Sequence, residues 1–474
     1  MLCSRARRSA VWAAAVALLT GCAGLGGAPP PNPARADPWV KRPVVELAFD
    51  MARDLSAARG RETVVFTPDL PACELVFRAW PNKPTTADDG SSLVVTDAAV
   101  DGRPVSPIVV AAGAQEGAPG TLVELPLPQC VEAGTPVLAE LRFDLVLGRD
   151  AGERVGYSPT ARLAWFGTAF PLLAWVRGEG WTRDPAVQMY GETVTSEDFR
   201  LAELAVTAPD WSRVLGTGSA TGSTPGAVSG TTVHRFTAEA VRDVAVSVGL
   251  FDVVERQLDD VRLHVGVPEH GSKVGADGWA DALEEMTRRL EDFLGPYPYP
   301  DLWATVLPPL ADGVEFPTAL QFGDVGRATV PSLVAHEVAH MWFYALLGNN
   351  QARHPWIDEA FATYAQARAA GQLDSYTPAG VDPGLRGDLG EPMSHWAGRG
   401  GFGRYVRGVY DQGAAVLIEG RRRVGEAVFD ETLRTYIDTH AHRIVEPADV
   451  EAAFRNLPAV VELLQNAGGL HKSN

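Results

Sequence analysis

Leu333-Val334-Ala335-His336-Glu337-Val338-Ala339-His340-Met341-Trp342, with Trp356-Ile357-Asp358-Glu359-Ala360-Phe361 downstream, decides how the rest of the chain is read. Residues four apart lie on one face of an α-helix, so His336 and His340 present two imidazoles to a single point with Glu337 beside it. Zinc suits such nitrogen donors. A catalytic zinc site keeps three protein ligands and leaves one position for water, so the pair is one ligand short. Glu359, with eighteen residues between it and His340, completes the set. Phe343 and Leu346 stand where an extended HExxHxxGxxH pattern needs Gly and His, which excludes a third histidine ligand on that helix. The competing reading is two structural histidines and a surface glutamate.

Working outward, composition sets the bounds. The 474 residues are too many for one core and predict two or three domains. The formal charge of -18 repels nucleic acid and does not favour anionic lipid. Residues 1–21 read as a secretory leader, with basic Arg5, Arg7 and Arg8 before an apolar run too short to span a bilayer. It ends Leu19-Thr20-Gly21-Cys22, which resembles a bacterial lipobox and implies a diacylglyceryl thioether on Cys22. Residues 22–39, rich in Gly, Pro and Ala, read as a flexible tether. Cys73 and Cys130 remain, and outside the cytoplasm they are expected to pair, two buried free thiols being the alternative.

From about 40 to 252 the chain alternates short apolar runs, such as Glu74 to Trp80, Thr121 to Leu125 and Val137 to Leu147, with turn signals such as Asp89-Gly90 and Asp101-Gly102. Val44 to Arg59 fits either strands or a helix, and the neighbours favour strands. Beyond about 275 the pattern turns helical. Trp279, Leu283, Met286, Leu290, Phe293 and Leu294 form a stripe that stops at Gly295-Pro296. A short strand over Trp303 to Leu307 and a loop over Asp312 to Pro317 come next. Helices are expected over 330–346, 358–369, 409–423, 426–439 and 447–455, with a loop over 380–403 and only a tail after the last.

The motifs together resemble the zinc aminopeptidases typified by aminopeptidase N, a family that includes the leukotriene hydrolases. His336-Glu337-Val338-Ala339-His340 with Glu359 satisfies its HExxH, eighteen residues, Glu signature. Trp356-Ile357-Asp358-Glu359-Ala360-Phe361-Ala362 is similar to its WLNEGFA. Gly313-Val314-Glu315-Phe316-Pro317 resembles its substrate-amine segment, and Tyr410-Asp411-Gln412-Gly413-Ala414 its YxKGA, with Gln412 where Lys or Arg is common. The resemblance implies one zinc ion held by His336, His340 and Glu359, with Glu337 as general base. It implies that Gly313 and Glu315 bind the substrate, Glu315 pairing with the free α-ammonium, and that Tyr410 donates to the oxyanion. Tyr405 is the rival for that last role. A polar side chain from Leu163 to Glu192 is expected to help hold the amine. His354, His395, His440 and His442 are expected at the surface or as caps, and Trp165, Trp175 and Trp181 in packing. Family members often carry a further helical domain after this point, so a more open cleft is expected.

The sequence therefore predicts a multidomain α+β protein. An N-terminal antiparallel β-sandwich or saddle over 40–252 precedes a thermolysin-like, mainly helical zinc metallopeptidase domain over 253–474. The expected function is a zinc-dependent aminopeptidase of the cell envelope, lipid-anchored to the membrane through Cys22, acting on peptides with a free N-terminus and binding no nucleic acid. A zinc endopeptidase and a catalytically silent peptide-binding lipoprotein are the alternatives.

Overall fold

Every second side chain turns inward along Ala57–Phe66 and Val137–Val146, where Ala58, Val64 and Phe66 and then Ala139, Leu141 and Phe143 are buried. That is the pattern of strands with one face on a core. In the computed structural model, which describes residues 34–191 and 195–472, they lie inside an eight-stranded sheet. Its order is Ser219–Pro225, Thr231–Val241, Phe199–Pro209, Val44–Met51, Ala57–Phe66, Val137–Val146, Ser92–Val100, Arg103–Val105. Neighbours are antiparallel except Val44–Met51 against Phe199–Pro209. The ambiguous stretch from Val44 is thus two strands. A four-stranded sheet contains Ala72–Arg78 and Leu122–Val131, joined by the Cys73–Cys130 disulfide. Trp165 and Trp175 are buried, and Trp181 packs edge-on against Trp175.

The leader 1–21 and Cys22 lie outside the described residues. The tether expected over 22–39 is already held near its end, because the Arg35 guanidinium pairs with Asp438 and donates to the Pro296 carbonyl. No helix among the described residues is long and apolar enough to cross a membrane.

The second half begins with a five-stranded mixed sheet, in the order Phe251–Leu258, Val261–Pro268, Asp301–Val306, Ala319–Phe322, Gly313–Phe316. Helix Ala276–Leu294 buries the predicted stripe and ends at Gly295, whose φ of 93° suits a residue without Cβ. The loop expected around Glu315 is instead the outermost strand, Gly313–Phe316. Thr318, at φ 63°, turns the chain tightly enough for that strand to pair antiparallel with Ala319–Phe322.

The motif helix is shorter than its apolar pattern suggests, spanning Val330–Ala339 instead of 330–346. Beyond His340 the chain turns at Tyr344, φ 100°, and Leu347–Asn349 pairs in parallel with Arg443–Val445. The Leu346 carbonyl accepts from His442 N, so it is not available to a continuing helix. The glutamate helix spans Trp356–Ala369. The loop expected over 380–403 contains helix Met393–Gly398. Phe402–Tyr405 runs through a π-helical turn, Val406–Asp411, into Gln412–Val424, so the helix expected from Val409 begins earlier. Glu426–His440 and Pro447–Phe454 follow. Where only a tail was expected there is a further helix, Pro458–Asn466, which buries Val460 and Leu464 one turn apart.

Candidate metal centre

One turn of helix brings the two motif imidazoles together, with Nε2 of His336 and His340 3.2 Å apart. Glu359, in the first turn of its helix, places Oε2 3.4 Å from each of them. Donors about 2.0–2.1 Å from a tetrahedral zinc stand about 3.3 Å from one another, so this triangle has the edges of one face of such a site. Glu359 Oε2 is buried without a good hydrogen-bond donor, a situation that a cation resolves. Burial pushes the Glu359 carboxyl up, but contacts with His336 and His340 outweigh it and hold it at about 2.

The outer imidazole nitrogens each meet an acceptor. His340 Nδ1 lies 2.7 Å from Asp358 Oδ1 and 3.1 Å from the Phe343 carbonyl, and His336 Nδ1 lies 3.1 Å from Gln366 Oε1. With a cation in the triangle, donation from Nδ1–H to these acceptors would turn the Nε2 lone pairs toward it. Asp358 Oδ2 in turn accepts from Gln351 Nε2 at 3.0 Å. Sequence reading missed Asp358 and Gln366 as partners. The signal for Gln366 is its spacing of two helical turns from Glu359.

Glu337 and Glu315 face the same cleft, a space of about 680 Å³. Glu337 Oε2 and Glu315 Oε1 are buried without a hydrogen-bond partner among the described residues. Burial, reinforced by the charges of Glu315 and Glu359, pushes the Glu337 carboxyl well above the carboxylate range. Burial, with Asp358 and Glu359 adding to it against the pull of His340, pushes Glu315 to about 7. Gly313 makes room for Glu337: a Cβ there would lie 2.3 Å from its carboxyl carbon and Oε1.

Tyr410 sits on the π turn. Its ring stacks on His336 with centroids 5.6 Å apart, and its O–H donates to Glu359 Oε1 at 2.5 Å. Burial raises the phenol well above its ordinary pKa, so the proton stays available for donation. Tyr405 packs behind it, buried and edge-on, and does not line the cleft. The N-terminal half contributes Glu153, Arg154 and Tyr190 to the wall. Of the stretch Leu163 to Glu192, strand Leu163–Gly167 is buried in its own sheet and Tyr190 brings a phenol to the wall, while the charged wall residues Glu153 and Arg154 lie upstream of the stretch. Arg154 lies over the rings of Trp80 and Phe316, and Glu153 is held by Lys83 and Thr85. No motif marks this pair.

The remaining histidines stand apart from the triangle. His354 pairs with Glu446, His395 with Glu391, and His440 lies near Asp449. His442 departs from the surface position expected of it, because its Nδ1 is 2.5 Å from the buried Asp198 carboxylate.

No protein-family model matches the chain. Among curated proteins it is similar to aminopeptidase M1 of Arabidopsis thaliana, 29% identical over 240 residues, and to aminopeptidase M1-A of Oryza sativa subsp. japonica, 28% over 235 residues. Each match takes in 44% of this chain and only 27% of the relative's length. Leukotriene A-4 hydrolase of Xenopus laevis is 31% identical over 96 residues, 19% of this chain and 16% of that protein. Among solved structures, an M1 zinc metallopeptidase from Deinococcus radiodurans superposes with a TM-score of 0.63 at 18% identity, covering 92% of this chain and 94% of that one. A mutant of it bound to a Tyr-Ser-Ala substrate superposes equally well, at 17% identity over 92% and 95%. The resemblance to the aminopeptidase N family is borne out in sequence, and the α+β fold is that of the M1 zinc metallopeptidases.

Proposed function

We propose that this chain, with the fold of M1 zinc metallopeptidases, is a zinc-dependent aminopeptidase that removes the N-terminal residue from peptides. The observation that carries the reading is the triangle of His336 Nε2, His340 Nε2 and Glu359 Oε2, opening on a cleft that also holds Glu337, Glu315 and Tyr410. What one zinc ion supplies when bound there is Lewis acidity toward a carbonyl oxygen and a water. The chain's own groups do the rest. Glu337, ionised once a cation in the triangle offsets the neighbouring carboxylate charges that raise its pKa, would accept the proton of the attacking water and pass it to the leaving amine. Glu315 pairs with the substrate's α-ammonium, which limits cleavage to the first peptide bond. Tyr410 turns its O–H from Glu359 to the oxygen on which negative charge develops.

The same reading takes 40–252 as the β domain and 253–474 as the catalytic domain. Support comes from strand Phe251–Leu258, which joins the sheet of the second half. It also takes Cys22 as the lipid anchor of an envelope protein; the Cys73–Cys130 disulfide supports an oxidising compartment.

The test is hydrolysis of a panel of aminoacyl amides with and without a chelator, alongside an N-acetylated peptide. Free-amine substrates should be cut, chelator should stop the reaction, and the acetylated peptide should survive. Equal cleavage of the acetylated peptide would make the protein an endopeptidase, and no cleavage of any substrate by zinc-loaded protein would leave the silent binding protein.

A further inference from the structure

The N-terminal half grips the turn that leaves the second histidine. Arg242 and Asp243, at the end of strand Thr231–Val241 and just beyond it, are both buried. Arg242 donates Nε–H to the Ala345 carbonyl at 3.1 Å and Nη2–H to the Leu346 carbonyl at 3.4 Å, while Nη1 reaches the Ser196 carbonyl at 2.9 Å. Its charge is matched by Asp198, with Nη2 2.6 Å from Oδ1. Asp243 accepts from the Tyr344 hydroxyl at 3.1 Å and from Thr168 at 2.5 Å. Gly348 gives the guanidinium its passage, since a Cβ there would fall 2.1 Å from Nη1.

Between these two grips stands Tyr344 at φ 100°, a backbone conformation that residues with a side chain resist. Such strain persists only where surrounding contacts over-determine it. Immediately before it, the Phe343 carbonyl is the second acceptor of His340 Nδ1. Immediately after it, Ala345 N donates to the His340 carbonyl at 2.9 Å. The turn therefore closes on His340 from both sides, and residues far away in the chain hold it closed.

We infer that Arg242, Asp243 and Tyr344 form a positioning device that aims the His340 imidazole at the metal site, so that the β-rich half sets the zinc affinity of the helical half. This rests on the reading of His340 as a zinc ligand. None of the three residues lines the cleft, so none touches substrate. Partners of a metal-bound histidine are worth about 10–100-fold in affinity when lost. Removing the Tyr344 hydroxyl, one bond further out, should fall at the low end of that range.

The experiment is zinc titration of metal-free full-length protein in competition with a chromophoric chelator, with kcat and KM measured on the reloaded enzyme. Tyr344→Phe deletes one oxygen and keeps the packing; R242K keeps a cation but reaches fewer carbonyls. Arg262→Lys, which weakens an ion pair with the buried Asp301 outside the cleft and away from both motif helices, is the control for general loss of stability. The expected result is a zinc dissociation constant raised about tenfold in Tyr344→Phe and at least as much in R242K, with KM unchanged and the control at the wild-type value. Wild-type zinc affinity in both variants, or an equal loss in the control, overturns the inference. A wild-type protein that takes up no zinc overturns the ligand reading itself, a distinct outcome.

Discussion

Replacing Gly313 with alanine adds a single methyl group directly against the Glu337 carboxyl group. That Cβ would lie 2.3 Å from both the carboxyl carbon and Oε1 of Glu337, about 1 Å short of ordinary contact. Glu337 is buried on the motif helix and Gly313 starts a strand paired along its length, so the strain must move the carboxylate or the strand that carries Glu315. Either displacement is about 1 Å at a reacting group, worth about a hundredfold in rate, or about 2.7 kcal/mol of transition-state stabilisation. His336, His340 and Glu359 are untouched, so on the proposed reading zinc content should stay at the wild-type level. Gly313→Ala should therefore lower kcat/KM on an aminoacyl amide about a hundredfold without loss of metal. A zinc-loaded variant within fivefold of wild type would refute the placement of Glu337 against this strand.

Chelation should abolish turnover and lower the melting temperature, since a ligand held only by the folded state contributes about 4 kcal/mol at a thousand times its dissociation constant; an unchanged melting curve would argue against a bound ion. Reducing Cys73–Cys130 releases a cross-link spanning 57 residues and should cost up to about 4 kcal/mol in denaturant titrations, with KM unaffected because neither cysteine lines the cleft. Glu62 is buried with Oε2 unpartnered, and burial raises its pKa well above 4.5. Its folded value being raised, the stability it contributes is complete below the unfolded value and is lost as pH climbs toward the folded one. The permanently neutral Glu62→Gln should thus melt increasingly above wild type from pH 5 to pH 8, and a pH-independent difference would contradict this.

Local periodicity made much of the protein legible. The four-residue spacing of His336 and His340 and the stripe from Trp279 to Leu294 each follow from a single helix, and both are found in place. What stayed hidden depends on partners distant in the chain. The apolar run from Met341 to Leu346 reads as helix, yet its carbonyls are taken by Arg242 and His442 from elsewhere. Glu153 and Arg154 carry no motif and reach the cleft only because the β-rich half folds against it. The strand at Gly313–Phe316 reads as a loop because an edge strand of four residues leaves little alternation to detect. The final helix went unseen because Val460 and Leu464 provide only one repeat of the spacing.

The π turn at Val406–Asp411 makes helix register a chemical variable. Phe402, Val406, Tyr410 and Asp411 all line the cleft, a spacing slightly wider than an α-helix keeps on one side. Close packing of Gly413 against Ala360 pins the following turns. Excising one residue from this turn would let the segment wind as ordinary α-helix with its flanking faces nearly in place, because a π turn fits one extra residue into the same arc, and would remove one of the side chains the turn presents to the cleft. Homologues of differing length in this segment would then differ in which groups meet a substrate, even with every metal ligand unchanged.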